Sequence, residues 1–502
     1  MSKRSAGLIL ALLAAPTPAL ADEPRPAITF RLDAPDRQAH AVIRLFRGSR
    51  AKDPAAALAA WKRASREPDR LGKPLEALIA AFNPAMADEL RSLDGSEAAL
   101  WFVPGSKSPV WGAVLPRDDG TFAALATALV LSGGAAEAPW RGLAVDRLGL
   151  PDSALMARSP KALLVGGSRE GLARASAMAD RPDPAGRTEG LSFRIDPGAI
   201  DAASLPALRG WRAALGEARG PISGSARLEG PALRASVDVG SRRPDRSTTV
   251  DPVWLRWLPI GRASAVFVLA VAPEPEAWDR AFRLVDAVEK SDPDRQKLAP
   301  ARLRLGLAAR SAGLRLDADL LPHLRGVAGW IGPDRRPIDR AALVLHLDDE
   351  RVATRIFEGL RLPAAAAPGE VEGQGRRLGD VAGRPIRVAR AGADLILGWG
   401  EGTLDLTIEA GRDPENPALT LFRERLAGGA TGLLVATWAG RLPGIGPADA
   451  PLAGALAGSP PILWSGGWAG PEAFRLEASW SGLDSLTQRF LDRLPLDPPP
   501  DR

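Results

Sequence analysis

The chain has 502 residues, a formal net charge of +5 and no cysteine. The absence of cysteine excludes disulfides, zinc–thiolate sites, catalytic thiols and anchoring through an N-terminal lipidated cysteine. The small excess of positive charge is not gathered into one basic cluster, so the sequence predicts no nucleic-acid partner.

The first 21 residues predict a secretory signal peptide. Lys3 and Arg4 form its charged region, residues 6–15 form an apolar run, and residues 19–21 read Ala-Leu-Ala, a typical cleavage site. The apolar run is much shorter than the ~20 residues that a membrane-spanning helix needs, which favours cleavage over a retained anchor. We therefore expect an exported protein, periplasmic or extracellular, without a transmembrane anchor after cleavage.

A recurring pattern divides the rest of the chain into two similar halves. Ala-Asp-x-Leu-x-x-Leu-x-Gly occurs at 87–95 and again at 318–326, and shorter matches follow in the same order. An internal duplication accounts for this order, whereas the alternative is chance similarity in a chain rich in Ala, Leu and Gly. The predicted boundaries are a first half at 22–240, a linker at 241–252, a second half at 253–494 and a disordered tail at 495–502.

The elements of each half are predicted in the same order. A strand opens each half, at Ala41–Phe46 and at Ala265–Val271, and a helix follows, with Pro54 at its first position in the first half. A second helix over the Ala-Asp-x-Leu pattern, two strands, a helix begun by paired aspartates, further strands and a last hairpin complete each half. In the first half that hairpin turns at Gly230.

The element order predicts the fold class. Strands joined by short turns favour antiparallel neighbours, and helices inserted between such pairs favour an α+β layer. We expect two tandem homologous α+β halves, each a mixed, mostly antiparallel sheet with helices on one face.

No catalytic, cofactor or metal site is predicted. The three histidines, His40, His323 and His346, do not recur between the halves, and we interpret them as ordinary surface or half-buried side chains. Paired aspartates at 118–119 and 348–349 offer carboxylates to a divalent cation, but each pair precedes a predicted helix, where capping explains it better.

Tryptophan supplies the one candidate ligand surface. The chain has 14 Trp and no Tyr. Trp464 and Trp468 share one face if their segment is a strand, and with Trp438 and Trp480 they would form an aromatic platform for a sugar ring or a lipid. The competing interpretation is packing in the core, which the matching positions of Trp101 and Trp330 favour for that pair.

The two halves resemble a loose group of exported bacterial proteins that are known only as domains of unknown function. The resemblance is carried by Asp319–Gly326, before a strand, and Leu395–Gly400, before a helix, and it is clearer in the second half. It implies a duplicated α+β fold and no activity or functional residue.

Three functions follow as hypotheses. The first is a non-enzymatic binding or scaffold module of the cell envelope, with an envelope protein or an apolar or glycan ligand as its partner. The second is a carrier of apolar, lipid-like ligands, held in a cavity or in the cleft between the halves. The third is a hydrolase that uses two carboxylates ~5–10 Å apart.

Overall fold

The computed structural model describes most of the two halves. The described residues are 25–47, 51, 54–64, 89–103, 109–116, 135–147, 154–181, 189–200, 220–241, 243, 249–271, 274–291, 298–333, 339–360, 375–381, 383–427, 431–441 and 450–494. The predicted signal peptide, the tail, part of the linker and the Asp118–Asp119 pair lie outside them. No helix in the described part of the chain combines the length and apolar content needed to cross a membrane.

Nineteen strands are described. They are β1 Ile28–Asp33, β2 Ser96–Trp101, β3 Val110–Pro116, β4 Ala135–Trp140, β5 Leu143–Arg147, β6 Leu155–Arg158, β7 Ala162–Gly166, β8 Gly190–Ile195, β9 Ile222–Glu229, β10 Ala232–Gly240, β11 Ala265–Ala270, β12 Leu324–Ile331, β13 Ala341–Leu347, β14 Arg376–Val381, β15 Arg384–Ala391, β16 Asp394–Trp399, β17 Thr431–Thr437, β18 Ile462–Trp468 and β19 Ala473–Trp480.

Ten α-helices are described between the strands. They are α1 Pro35–Leu45, α2 Pro54–Ala64, α3 Arg169–Ala179, α4 Pro275–Ser291, α5 Ala301–Ser311, α6 Glu350–Gly359, α7 Thr403–Arg412, α8 Pro417–Ala427, α9 Ala450–Leu456 and α10 Leu483–Leu491.

All nineteen strands join one sheet, and every described pair is antiparallel. The spatial order is β4-β5-β6-β7-β3-β2-β1-β8-β9-β10-β19-β18-β17-β11-β12-β13-β16-β15-β14. The α+β class is confirmed. The expected mixed sheet in each half is wrong, because the described pairs contain no parallel neighbours and the two expected sheets are continuous.

The strand order is the same on both sides of the β10–β19 contact. Outward from β10 the order is β9, β8, β1, β2, β3, β7, β6 and β5, and outward from β19 it is β18, β17, β11, β12, β13, β16, β15 and β14. In each series the seam strand and its neighbour form a hairpin, and a single strand comes next. Three strands in chain order then follow, and the last three are in reverse chain order. Strand β4 is the one addition, at the outer edge of the first half.

Strands β10 and β19 form the seam between the halves. Their register runs from Leu233 opposite Trp480 to Gly240 opposite Ala473. The pairing continues into the predicted linker, where the backbone N–H of Ser241 donates to the carbonyl of Glu472 at 3.0 Å. The start of the linker is therefore an extension of the sheet.

Helices cover both sides of the sheet in the second half, so the prediction that they lie on one face is wrong. Leu404 of α7 and Phe422 of α8 pack with Ile396 in the largest core cluster. Ile356 of α6 packs with Leu395. Leu395 precedes Ile396 on β16, so its side chain points to the opposite side of the sheet.

The opening of the first half differs from the prediction. Residues 41–45 belong to helix α1, and the opening strand is β1. A short apolar run such as Ala41–Ile43 fits a helix and a strand equally well. The helix has Pro35 in its first turn and Arg44 in its last turn, where each is favourable. The opening strand of the second half, β11, is confirmed.

The repeated Ala-Asp-x-Leu pattern forms short helical turns rather than the predicted α-helix. In the second half Leu316–Leu320 and Leu321–His323 make two consecutive turns that lead directly into β12. Pro322 lacks the N–H that a longer helix would need. In the first half only the turn Glu89–Leu93 falls within the described residues.

Other predictions for the two halves are confirmed locally. Helix α2 begins at Pro54, and the hairpin β9–β10 turns at Gly230. Trp101 and Trp330 are both buried, on β2 and β12. Trp330 donates its indole N–H to Thr407 of α7 at 2.9 Å, which ties the helix to the sheet.

Candidate functional site

One side of the central sheet is apolar across eight consecutive strands. Directly paired residues lie on the same side of a sheet, so the side can be followed through the registers. We call this surface the open face. Its residues are Ile28, Phe30, Leu32, Leu191, Phe193, Ile195, Ile222, Gly224, Ala226, Leu228, Leu233, Ala235, Val237, Val239, Phe474, Leu476, Ala478, Trp480, Ile462, Trp464, Gly466, Trp468, Leu433, Val435, Thr437, Ala265, Phe267 and Leu269.

The open face carries no charged residue, and Thr437 is its one hydroxyl. Of its 28 positions only Gly466 is fully buried. Its most accessible side chains are exposed by about two fifths, namely Phe30 (43%), Leu191 (43%), Leu269 (42%), Trp464 (41%) and Leu233 (40%). Exposed apolar surface that is continuous over a wide area marks a place where a ligand, a membrane or another protein binds.

The opposite side of the same strands is polar in the centre of the sheet. Arg475 of β19 pairs with Asp238 of β10 across the seam at 2.7 Å. Ser225 and Ser236 share a hydrogen bond of 3.1 Å between β9 and β10. An alternation of polar and apolar residues is typical of an antiparallel sheet with one solvated face, but here the apolar side is accessible as well.

A phenylalanine ring lies over each glycine of the open face. A Cβ on Gly224 would come within 2.6 Å of the Phe193 ring, and a Cβ on Gly466 within 2.9 Å of the Phe474 ring. The same arrangement at the edge of the open face puts Phe267 over Gly329 of β12. Each ring therefore fills the space above a glycine and leaves the surface low.

A strip of small side chains crosses the seam on the open face. Ala226, Ala235 and Ala478 are direct neighbours on β9, β10 and β19. The same row ends at Leu191 on β8 and at Trp464 on β18, both exposed. The two end strands are four spacings apart, or about 19 Å. The strip thus forms a shallow trough closed at both ends by larger side chains.

The predicted tryptophan platform falls on the open face in part. Trp464 and Trp468 lie on the same side of β18, and Trp468 meets the edge of Phe474 with ring centroids 5.2 Å apart. Trp480 lies on this side too. Trp438 is instead buried in the core on the opposite side of the sheet, so it is no part of the platform.

A buried polar group surrounds His346, and no local pattern in the chain connects this histidine with an aspartate. His346 of β13 and Asp394 of β16 are direct neighbours in the sheet, and Nδ1 of the imidazole lies 2.8 Å from Oδ1 of the carboxylate. Oδ2 of Asp394 accepts hydrogen bonds from the indole of Trp257 at 2.7 Å and from Arg256 at 2.9 Å.

Electrostatics keeps the Asp394 carboxyl ionised. Burial raises the pKa of Asp394, but its contact with His346 and the hydrogen bonds from Trp257 and Arg256 outweigh burial, so the pKa lies below its ordinary value. An ionised carboxylate only accepts hydrogen bonds, so the proton of this bond belongs to Nδ1 of His346.

The other imidazole nitrogen is enclosed. Nε2 of His346 is buried and has no hydrogen-bond partner among the described residues. The ring stacks on Trp254 with centroids 4.9 Å apart, and Trp254 lies over Gly326, where any side chain would collide with the indole. A histidine oriented by an aspartate suits a general base, but the sealed Nε2 gives it no access to a substrate in this arrangement.

The paired aspartates of the second half have separate tasks. Asp349 caps α6, because its side chain accepts a hydrogen bond from the backbone N–H of Arg351 at 2.8 Å. Asp348 contacts Nδ1 of His323 at 3.1 Å and also pairs with Arg325. The capping prediction is thus confirmed for Asp349, and within the described residues no group of three or more acidic, histidine or cysteine side chains is arranged to hold a metal ion.

A cavity of about 400 Å³ lies beside the C-terminal end of α7. Its two carboxylates, Glu409 and Asp413, belong to one short segment, whereas the hydrolase hypothesis asks for acids from different segments. The buried amide of Asn416 is occupied with capping α8, since its Oδ1 accepts from the N–H of Ala418 at 2.8 Å. His346 does not line this cavity.

The sequence contained a usable signal for the open face. In residues 222–229, Ile-Ser-Gly-Ser-Ala-Arg-Leu-Glu, and again in 232–239, polar and apolar residues alternate. This period of two predicts strands with one apolar side. The alternation does not reveal whether helices cover that side, which is why the surface was missed.

Comparison of the chain with protein-family models, with curated proteins and with solved structures finds no match.

Proposed function

We propose that the protein is a binding protein whose open face takes the hydrocarbon chain of a lipid-like ligand. The observation that carries the proposal is the open face itself, with no charged residue over eight strands and with five of its large apolar side chains about two fifths exposed. Transfer of hydrocarbon from water is favourable by roughly 0.8 kcal/mol per fully buried methylene, and a chain lying on a sheet gains about half of that.

The chemistry of the open face favours hydrocarbon over sugar. Glycan sites combine an aromatic platform with hydrogen-bonding side chains that fix the hydroxyl groups. The surroundings of Trp464 on the open face are alanine, valine and isoleucine, with Thr437 as the nearest hydroxyl-bearing position in the registers. A chain without hydroxyl groups loses no hydrogen bonds to water when it lies there.

The trough suits a single extended chain. Its floor of Ala226, Ala235 and Ala478 is lower than its ends at Trp464 and Leu191. The two strands that carry these ends are about 19 Å apart, so the trough suits an extended segment of a fatty-acid chain better than a compact ring system. We place the ligand across the seam, so that both halves contribute.

The proposal includes a duplication of the fold. It is supported by the identical strand order on both sides of the seam and by the matching positions of Trp101 and Trp330. Gly166 and Gly398 match too, because each stands on a strand where the next helix packs within 2.8 Å of a Cβ position. We further propose that the chain is exported, as its first 21 residues predict, and works in the cell envelope.

Binding is tested by titrating the purified full chain with radiolabelled palmitate and measuring the ligand retained by the protein. We expect saturable binding that becomes at least tenfold weaker in Trp464→Glu and Leu233→Glu, since each change puts a charge on the open face. Ser223→Glu is the matched control, because Ser223 is exposed on the opposite, polar side of β9.

Two results would count against the proposal. Palmitate that is not retained by the wild-type chain removes it. So does retention that the two open-face variants and the Ser223→Glu control share equally. A soluble glucan oligosaccharide, used as a second probe, should not bind.

A further inference from the structure

A hydrocarbon chain that lies on one side of a single sheet keeps its outer side in water. Binding sites for small apolar ligands typically enclose about 70–90% of the ligand surface. The trough between Trp464 and Leu191 is shallow, and its floor belongs to a single layer. Helices α4 and α6 pack on Val327, Leu345 and Leu395, outside the eight strands of the open face.

We infer that two copies of the chain pack with their open faces together and enclose the ligand between them. This inference rests on the proposed ligand-binding function and names the element that completes the site. A second copy of the chain matches the open face in size, chemistry and shape.

The area of the open face matches what a stable dimer needs. Eight strands at a spacing of about 4.8 Å and a strand length of about 22 Å give roughly 750 Å² for each copy. A standard protein–protein interface buries about 800 Å² on each partner. The open face is therefore large enough for a complete interface and much larger than one fatty-acid chain requires.

The composition of the open face also fits an interface between identical copies. Interfaces of homodimers are depleted of charged residues at the centre and enriched in aromatic ones. The open face carries Phe30, Phe193, Phe267 and Phe474 with three tryptophans and no charged side chain. A surface without charge meets no repulsion when it faces its own copy.

The shape of the open face allows two sheets to stack. Sheets that pack face to face lie about 10 Å apart, and this spacing requires low, interdigitating side chains. The rings of Phe193 and Phe474 occupy the space over Gly224 and Gly466, where a side chain would otherwise stand. The trough of Ala226, Ala235 and Ala478 then leaves a channel between the copies where an acyl chain fits.

The absence of cysteine makes a clean cross-linking test possible. Ala235 lies near the centre of the open face, so its two copies approach each other across a two-fold axis. In an Ala235→Cys variant a bismaleimide that spans about 10 Å should link two copies, and palmitate should increase the yield. Ser223→Cys, on the opposite side, should give no linked dimer.

The mass of the complex provides the second measurement. Analytical ultracentrifugation of the full chain with palmitate should give twice the mass of one copy. Trp464→Glu and Leu233→Glu should return the mass to one copy, whereas Ser223→Glu should leave the dimer intact. Circular dichroism of each variant checks that the fold is retained, and the Ala235→Cys cross-link tests the interface without adding a charge.

The outcomes separate the two proposals. A single copy that retains palmitate overturns the dimer and leaves the ligand-binding function in place. A dimer that forms equally well in Trp464→Glu also overturns it, because the contact then lies elsewhere. A wild-type chain that retains no palmitate in either state overturns the ligand-binding function and, with it, the enclosed site.

Discussion

The Phe193 ring lies over Gly224, and a Cβ on Gly224 would stand 2.6 Å from that ring. The backbone carbonyl of Ser236 would be 2.5 Å from the same Cβ on another side. The position is therefore closed to every side chain unless the sheet or the ring moves.

Gly224→Ala should lower the free energy of unfolding by about 1–3 kcal/mol, because overpacking displaces the Phe193 ring. Urea denaturation followed by circular dichroism measures the change. Gly470→Ala is the control, since nothing lies within 4 Å of its Cβ position, and it should shift stability by less than about 0.5 kcal/mol. Equal stability of the two variants would show that Phe193 yields at no cost.

Gly166 at the end of β7 and Gly398 near the end of β16 provide a test in both halves. A Cβ on Gly166 would come 2.8 Å from the backbone of Gly171 in α3, and one on Gly398 would come 2.8 Å from the backbone of Leu404 in α7. Gly166→Ala and Gly398→Ala should each destabilise the chain by about 1–3 kcal/mol, measured by urea denaturation.

Their control is Gly359→Ala at the end of α6, where the Cβ position is empty. Alanine is favoured over glycine in a helix by up to about 1 kcal/mol, so this variant should be neutral or more stable. Large losses at only one of the two strand positions would contradict an equivalent role in the two halves.

Asp394→Asn should be among the most destabilising changes of a polar side chain in the second half. Asp394 accepts hydrogen bonds from His346, Trp257 and Arg256 in a buried site. Loss of one partner from a buried charged pair costs about 3–5 kcal/mol. Asp348→Asn, in the more accessible group with His323, is the control and should cost about 1 kcal/mol or less. Similar losses for both variants would refute the assignment.

The pH dependence of this difference has a defined sign. The folded chain holds the pKa of Asp394 below its ordinary value of 3.8, so the stabilisation is complete above that value and is lost as the pH falls through the lower, folded pKa. The gap in unfolding free energy between wild type and Asp394→Asn should therefore narrow as the pH falls below about 4.

Urea denaturation at several pH values measures this gap. Asp36 and Asp319 also have lowered pKa values, but they contribute equally to both proteins and cancel in the difference. A gap that widens as the pH falls below about 4 would contradict the ionised state assigned to Asp394.

Local pattern predicted many of the elements, and longer-range pairing accounts for what it missed. Pro54 and the hairpin at Gly230 are local signals, and both hold. The strand predicted at Ala41–Phe46 was wrong, because the three apolar residues at its start fit the period of a helix as well as that of a strand. The partner of His346 lies 48 residues away, and no local spacing connects them. The prediction that helices lie on one face failed because Leu395 and Ile396 are both buried, each by a different layer.

The candidate site was predicted only in its tryptophans. Trp464 and Trp468 share a side because they are four residues apart on one strand, which the period of two dictates. The width of the open face follows instead from the order of the strands in space. That order depends on pairings between distant strands, such as β10 with β19, which no local sequence pattern predicts.

The seam has a consequence for how the chain is made. Arg475 and Asp238 meet across it although 237 positions separate them. When the first half leaves the ribosome or the export channel, the backbone groups along one side of β10 have no strand to pair with until nearly the whole chain has followed. An unpaired strand edge is a template for aggregation. Premature termination in the second half before β19 would leave that edge bare, so we expect such truncated chains to aggregate or to be degraded rather than to persist as a stable half.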